Sequence, residues 1–523
     1  MNFIPPLAPT PEAVFLLNAG GDSCYSKFMR LFLFAFAAAF LCAGVFGAQI
    51  GADESRISAE VYVSSTHGDD ANDGSRDKPF KTFAKIPKKD ARIFLRKGDV
   101  FYEPLAGLEN CVVDSYGRGS KKPLVCGLRI IKNPSAWENM GGGIWRLDMD
   151  KTENFAGRNP PAKDRGKLFN NIGGIYDMST DELHGRVLRK HSDLKEDWDM
   201  IVSSEFRREK VTPETFRYLH LKLGRNPAEF GSLALIAYGN GISGLRNCTV
   251  RNVAIKGFGR HGLTGCRGGR IENLEIDLIG GSVLVGFPNW VRLGNGIEFW
   301  INSPSSGSNI HNRVTGCVIS RTFDCGSTIQ GRAQKGKNVA EDIVFTGNKY
   351  YRCRQAFEHW LSGGDAGRDP IEYKDCKFVG NFAWEMGDNG FNSPYLQDLN
   401  FLSYDRKPAA MTIRDNVCYG AGAYAGTANR SSDFGGNTFY VLRGKPLLVE
   451  LRGGKGKNLV VPANSEEDIK KYREISGDST SKIAIVDESD AALREKLLGG
   501  DFKYVKKILK KTERETGKQK EDI

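Results

Sequence analysis

The chain has 523 residues, of which 40% are apolar and 26% are charged, and its formal net charge is +11. This balance excludes global disorder, and the length allows one large elongated domain with additions, or two to three compact domains. With 61 glycines, 30 phenylalanines and only 8 methionines, the composition favours turn-rich β structure over helical bundles.

The first 47 residues read as a leader. Residues 31–47 form an apolar run, with Lys27 and Arg30 on its amino-terminal side. A basic flank before a short apolar run is typical of a secretory signal peptide, and this run is short for a membrane span. We therefore expect a start at Met29, cleavage before Ala48, and a protein secreted to the periplasm or the exterior that is not embedded in a membrane.

The positive charge is partly local. Residues 502–523 contain eight Lys and Arg against four Asp and Glu, so they supply +4 of the total. The remaining excess is spread along the chain. It hints at an anionic substrate and gives no evidence for nucleic acid as a partner.

Nine cysteines follow the leader, from Cys111 to Cys418. An odd number in an exported chain cannot pair completely within one molecule. Cys317 and Cys376 occupy similar positions in two repeats, which favours buried, stacked thiols over a disulfide framework. Neither a CxxC pair nor a His-rich cluster indicates zinc.

A short phrase recurs in the second half of the chain. Residues 296–300 read Gly-Ile-Glu-Phe-Trp and residues 356–360 read Ala-Phe-Glu-His-Trp. Thr-Ile-Gln-Gly at 328–331 lies between them, and Ala-Trp-Glu-Met at 383–386 follows. The steps are 32, 28 and 27 residues (298 to 330, 330 to 358, 358 to 385), which is typical of one solenoid coil plus a loop.

If these phrases are equivalent strands, alternation turns the apolar residue inward and the Glu or Gln outward. The pattern then predicts one exposed column made of Glu298, Gln330, Glu358 and Glu385. Trp300 and Trp360, two residues beyond a column Glu, share its face and are predicted to bind substrate together with Gln330. His359 lies between two outward positions and should point inward, as a core histidine or as a further substrate-binding residue.

The segments around this pattern suggest the fold. Residues 61–65 read Val-Tyr-Val-Ser-Ser, residues 68–74 form a turn rich in Asp, Asn and Gly, and Lys-Pro-Phe-Lys-Thr at 78–82 suggests entry into a short helix. This string resembles the opening of secreted right-handed parallel β-helix proteins of the pectate lyase-like superfamily. From residue 242 onward, short β runs preceded by Asn, Asp or Gly continue the resemblance, because those residues suit tight coil turns.

The predicted fold class is therefore all-β: a right-handed parallel β-helix with an inserted β-rich module and a small helical C-terminal region. Helices are expected near 465–474, 491–498 and 503–511. The predicted segments are the leader and signal peptide (1–47), the start of the β-helix (58–126), an inserted β-rich region or decorated coils (127–239), the main β-helix (240–440), and a cap with a basic tail (441–523).

Two mechanisms fit the outward column. In the first, Glu298, Glu358 and Glu385 supply the acid and its partner of a glycoside hydrolase. Adjacent coils are about 4.8 Å apart, so one or two coil steps allow the carboxyl spacing of either a retaining or an inverting enzyme. In the second, which the resemblance implies, Arg332 serves as the base or uronate ligand of a calcium- or Arg-dependent polysaccharide lyase or epimerase.

Asp388 and Asp324 are further candidates for binding substrate or calcium, with ordinary turn residues as the alternative. The sequence requires no cofactor, and calcium is the one candidate. The favoured prediction is a secreted, monomeric hydrolase acting on a polysaccharide, with the lyase second. A non-catalytic carbohydrate-binding or adhesin solenoid remains open, because fold alone does not fix function.

Overall fold

The computed structural model describes residues 50–131, 134–149, 155–156, 170–202, 216–285, 291–302, 309–333, 336–362, 370–392, 398–405, 410–426, 433–451 and 457–487. The chain divides into two compact units, residues 1–48 and 49–523, and the described residues all belong to the second. The predicted leader and the helices expected near 491–498 and 503–511 lie outside the described residues. Within the described part, no helix is long and apolar enough to cross a membrane.

Three ten-stranded sheets make up most of this unit, and the chain passes through the first, second and third sheet in turn, coil after coil. The first sheet contains Ala59–Val63, Ala91–Arg96, Val112–Tyr116, Thr249–Arg251, Arg270–Glu272, Asn312–Thr315, Ile343–Thr346, Lys377–Val379, Thr412–Arg414 and Asp433–Gly435. The second contains Val100–Phe101, Leu124–Cys126, Ala254–Lys256, Glu275–Ile279, Val318–Thr322, Lys349–Tyr351, Phe382–Trp384, Val417–Gly420, Thr438–Leu442 and Lys482–Val486. The third contains Leu105–Glu109, Ile242–Arg246, Leu263–Arg267, Ile297–Ile301, Cys325–Arg332, Gln355–Ser362, Leu399–Ser403, Gly422–Gly426, Pro446–Glu450 and Leu459–Pro462.

Neighbouring strands of these sheets pair in parallel, except that Pro446–Glu450 and Leu459–Pro462 pair antiparallel. A small two-stranded parallel sheet, Asn338–Glu341 with Ile371–Lys374, lies beside them. The described part is thus nearly all β with long parallel sheets, which is consistent with a β-helix solenoid.

The corner between the first and second sheets shows why these residues form tight coils. A residue with positive φ stands there in successive coils, and each is an Asn, Asp or Gly: Asn252, Asn273, Gly316, Gly347, Gly380, Asp415 and Gly436. These residue types tolerate the left-handed conformation. In the later coils the next residue is a buried Asn whose side chain bonds the coil before it. The backbone N–H groups of Asn348 and Asn381 donate to the Oδ1 atoms of Asn381 and Asn416, at 3.0 and 2.9 Å.

Inward-facing side chains fill the space between the three sheets. Phe357, for example, packs against Phe345 and Phe378 with ring centroids 5.5 and 4.5 Å apart. All nine cysteines after residue 48 are buried and unpaired, as expected for stacked thiols. The expected equivalence of Cys317 and Cys376 is wrong, because Cys317 precedes a second-sheet strand and Cys376 precedes a first-sheet strand.

The segment between residues 127 and 241 forms sheets of its own. Leu105–Glu109 pairs directly with Ile242–Arg246, so the coil stack continues across this segment. Its two five-stranded sheets comprise Phe155–Ala156, Leu128–Ile131, Leu233–Ala237, Ile172–Asp177 and Glu182–His184, and Arg186–Val187, Asp199–Ile201, Tyr218–Lys222, Ile144–Asp148 and Trp137–Asn139. A separate apolar core that includes Phe216 and Leu221 is formed mostly by this segment, and Val283 also contributes to it.

Helices are few among the described residues. The α-helix Glu466–Ser476, here α1, begins after Ser465, whose Oγ accepts from the N–H of Asp468 at 3.2 Å, and it ends at Gly477 with φ 68°. The 3₁₀ helices are Glu54–Arg56, Pro134–Ala136, His191–Asp193 and Pro227–Phe230. The helix expected after residue 79 is absent, because Asp70 Oδ1 ties the N–H groups of Lys81 and Thr82 into a turn at 3.0 and 2.9 Å.

Candidate active site

The third sheet aligns the repeated phrases in two outward rows. In the first row, Glu298 pairs with Thr328, and Thr328 pairs with Glu358 in the next coil. Gln330 stands in the second row, between Trp300 and Trp360. The predicted single column is therefore wrong for Gln330. Pairing shifted by two residues preserves the inward and outward alternation, so alternation alone could not reveal the shift.

Glu385 is also outside the column. It follows the second-sheet strand Phe382–Trp384 in a turn with φ 53°, so its phrase belongs to a different sheet. It lines a cavity of about 300 Å³ together with Asp388, Asp398 and Lys445. Asp388 forms an ion pair with Arg352 at 3.0 Å and Asp398 forms one with Lys445 at 2.8 Å. Neither Glu385 nor Asp388 shares a row with the two carboxylates of the third sheet.

Glu298 is held by four donors. Its Oε1 lies 3.3 Å from His261 Nε2 and accepts from Thr264 Oγ1 at 3.2 Å. Its Oε2 accepts from Asn295 Nδ2 at 3.3 Å and from Gln330 Nε2 at 2.7 Å. Donors around a carboxylate stabilise its negative charge.

The tautomer of His261 follows from its neighbours. The Nδ1 atom of His261 accepts from the backbone N–H of Asn295 at 3.4 Å, so Nε2 carries the proton that points towards Glu298. Burial lowers the pKa of His261 against the opposing effect of Glu298. A neutral imidazole that donates to Glu298 is consistent with both observations.

Glu358 lies in a buried cluster of charged and polar atoms. Its Oε2 accepts from Cys325 Sγ at 3.0 Å and from Arg354 Nη2 at 3.2 Å. Arg354 also pairs with Asp324, so one guanidinium bridges two carboxylates. Only 4% of Glu358 and 8% of Glu298 is exposed, although an exposed column was expected. The turns before the third-sheet strands cover both carboxylates. His261 contacts Glu298, and Arg354 and Asp324 lie beside Glu358.

The pKa of Glu358 is raised to about 7, first by burial and then by the negative charge of Asp324. Arg354 acts in the opposite direction. If both carboxylates were ionised, the single guanidinium would leave a net charge of −1 in the cluster; a proton on Glu358 removes it. Near neutral pH, Glu358 therefore exchanges a proton easily, as a general acid must.

The tryptophans flank Gln330 and are half-buried. Their rings meet edge to face, with centroids 5.7 Å apart and planes at 84°. Trp360 Nε1 donates to Gln330 Oε1 at 2.8 Å, and Trp300 Nε1 donates to Asn302 Oδ1 at 2.7 Å. Because Gln330 also donates to Glu298, a continuous chain of hydrogen bonds joins Trp360 to the carboxylate.

Two other predicted residues lie on opposite sides of this sheet. Arg332 is exposed, pairs with Ser362 in the next coil, and donates from Nε to Ser362 Oγ at 3.3 Å. His359 is buried and points inward, with Nδ1 2.8 Å from Asp405 Oδ2, which also accepts from Tyr373 at 2.9 Å. The substrate-binding role predicted for His359 is wrong, because its ring faces the interior.

One group of possible metal ligands occurs among the described residues: Asp324, Cys325 and Glu358, whose ligand atoms lie within 4.8 Å of one another. Calcium prefers six to eight oxygen ligands. This group offers a thiol, and the guanidinium of Arg354 already pairs with both of its carboxyl groups. The cluster therefore does not suit calcium.

Several residues of the site carry no motif that the sequence could reveal. His261, Asn295, Asp324 and Arg354 each lie in the turn before, or at the start of, a different third-sheet strand, and only the stacking of coils brings them together. Tyr404 follows Leu399–Ser403 and is 44% exposed; partial burial and then the charge of Glu358 raise its pKa. Of these residues, Asp324 is the one predicted from the sequence as a candidate for binding substrate or calcium.

No family model matches the chain, and no curated protein matches it. Among solved structures, one titled as the complex of XylC with xylose aligns with a TM-score of 0.39 and 11% identity, covering 82% of each chain. A GH136 lacto-N-biosidase from Eubacterium ramulus aligns with a TM-score of 0.34 and 14% identity, covering 82% of this chain and 68% of that one. A protein titled as a glycoside hydrolase aligns with a TM-score of 0.31 and 10% identity, covering 73% of this chain and 96% of that one. Similarity this low carries no argument about activity, which must rest on the site itself.

Proposed function

We propose that this chain is a secreted right-handed parallel β-helix protein of the pectate lyase-like superfamily that hydrolyses glycosidic bonds in a polysaccharide. The observation that carries the proposal is the buried Glu358, with a pKa raised to about 7, in the same outward row as the hydrogen-bonded Glu298. Glycoside hydrolases use one protonated and one ionised carboxyl group. The half-buried rings of Trp300 and Trp360 beside this row offer apolar surface for a sugar.

Two carboxylates can serve as the partner of Glu358, and they predict opposite stereochemistry. Glu298 is two coils away, a backbone separation of about 9.6 Å, near the 6.5–9.5 Å of inverting enzymes. Asp324 has a carboxylate oxygen within 4.8 Å of one on Glu358, near the spacing of retaining enzymes. Because Asp324 is already engaged in a direct ion pair with Arg354, we assign the partner role to Glu298.

The direct test is a panel of polysaccharides assayed both for new reducing ends and for unsaturated ends. Reducing ends without absorbance near 235 nm support hydrolysis. Absorbance near 235 nm shows elimination and contradicts the assignment of Glu358. Binding to a glycan without any cleavage supports the non-catalytic solenoid instead.

The lyase alternative makes its own prediction about Arg332, whose exposed side chain shares the outward face of the tryptophans. For a hydrolase, Arg332→Ala is expected to leave kcat within about threefold of wild type, because an exposed arginine away from the carboxylate row contributes little. A lyase that uses this guanidinium as base would lose about 10²–10⁴-fold. Measuring kcat of Arg332→Ala on the active substrate separates the two mechanisms.

The substrate-binding role of Trp360 can be tested with a matched pair of variants. Trp360→Ala removes the ring and the donor to Gln330, and we expect glycan affinity to fall about tenfold, since an aromatic contact is worth roughly 0.5–1.5 kcal/mol beyond its buried area. Trp360→Phe keeps a ring but removes the indole N–H, and should recover part of that affinity. Isothermal titration measures both variants. A large fall in melting temperature with unchanged affinity would assign the ring to packing alone.

A further inference from the structure

Thr328 stands at the centre of the first outward row. It pairs with Glu298 on one side and with Glu358 on the other, so its side chain lies between the two carboxylates along the row. Thr328 is fully buried. Its two neighbours in the row are Glu298 and Glu358. Thr328 is the one residue of the strand Cys325–Arg332 that stands between them in this row.

The hydroxyl of Thr328 is buried without a hydrogen-bond partner. An unsatisfied buried hydroxyl costs free energy, and native proteins leave few such groups without a reason. Valine has nearly the same shape and would remove this cost. A buried hydroxyl held between two carboxylates, where an apolar side chain of the same shape would fit, points to a ligand that the hydroxyl binds.

We propose that Thr328 Oγ1 binds the reacting water between Glu298 and Glu358. A buried water typically makes about three hydrogen bonds to otherwise unsatisfied groups, and the hydroxyl of Thr328 and the carboxylate of Glu298 supply two of them. This inference rests on the proposed hydrolase function and deepens it, because it makes Glu298 the base and the reaction an inverting one.

The step balances as an ordinary hydrolysis. The water oxygen bonds to the anomeric carbon while Glu298 takes the water proton. The bond between the anomeric carbon and the glycosidic oxygen breaks, and Glu358 gives its proton to that oxygen. Glu298 can accept a proton at Oε1, where its bonds to His261 and Thr264 are long, at 3.3 and 3.2 Å.

The test compares Thr328→Val with Thr328→Ser on the substrate that the panel identifies. Valine removes only the hydroxyl, and we expect kcat to fall by at least about tenfold with KM within about twofold, since a positioned polar group acts in the transition state. Serine keeps the hydroxyl and should retain kcat within about threefold. The melting temperature of Thr328→Val should not fall, because an unsatisfied hydroxyl is lost.

Three results would overturn the inference. One is a wild-type kcat in Thr328→Val. Another is a product that retains the anomeric configuration in an NMR assay of the first minutes of reaction. The third is a clear fall in the melting temperature of Thr328→Val, which would show that the hydroxyl has a structural partner. A high-resolution structure of the wild type tests the water directly and independently of activity: no water bonded to Thr328 Oγ1 contradicts the inference, whereas failure of the whole panel contradicts the proposed function.

Discussion

Replacing Glu358 with glutamine is expected to lower kcat by about 10²–10⁴-fold while substrate affinity stays within about twofold. Glutamine keeps the shape of the side chain and loses the proton that the leaving oxygen requires. Steady-state kinetics and equilibrium binding to the same glycan measure the two quantities. Glu385→Gln is the matched control, because that carboxylate lines a separate cavity and should leave kcat close to wild type.

The pH profile checks the same assignment in the unmodified protein. The pKa of Glu358 is raised to about 7, so the protonated form falls as pH rises through that value. The rate is therefore expected to decline on the alkaline side, with kcat/KM reporting the pKa in the free enzyme. A rate that instead rises through pH 7 would require Glu358 to act as a base and would contradict its role as the acid.

Replacing Arg354 with methionine is expected to destabilise the fold by about 3–5 kcal/mol at neutral pH, because the change leaves the buried Glu358 and the partly buried Asp324 without their cation. The loss should depend on pH. Without the guanidinium, which lowers the pKa of Glu358, that pKa rises further in the folded state, so the variant's stability is greatest below the unfolded value near 4 and falls as pH rises.

Urea unfolding at pH 4.5 and pH 8 measures this dependence. Arg332→Met provides the control: the same substitution at an exposed position should change the free energy of unfolding by no more than about 0.5 kcal/mol at either pH. Equal losses in the two variants, or a loss at Arg354 that does not depend on pH, would show that the buried guanidinium does not serve as the cation for these carboxylates.

The sequence predicted part of the site, because the alternation of apolar and polar residues along one strand shows which side chains face inward and which face outward. Glu298 and Glu358 face outward two coils apart in one sheet, with His359 facing inward, as the apolar and polar alternation required. The same rule failed for Gln330, because a two-residue shift in pairing preserves alternation. It also failed for Glu385: the spacing of the phrases does not tell which of three sheets a strand joins.

The rest of the site depends on contacts between coils. Arg354, Asp324 and His261 lie in turns of different coils, and the contacts of Arg354 with Asp324 and of His261 with Glu298 link residues about 30 or more positions apart. The corners between the first and second sheets were predictable from Asn, Asp and Gly, but two of the turns before third-sheet strands have Arg321 and Arg352 at positive φ. The direction in which a turn's Arg or His points is set by packing between successive coils, and a single sequence carries no local pattern for that packing.

The direct pairing of Leu105–Glu109 with Ile242–Arg246 has a consequence for folding. In a stacked repeat protein, each coil gains stability mainly from its immediate neighbours, and the N-terminal coils here must find a partner more than 100 residues further along the chain. The entropic cost of closing such a loop grows only by about 0.6 kcal/mol for each doubling of its length. Because the segment in between has its own apolar core, it can order locally and bring the two coils together, which shortens the loop that remains to be closed.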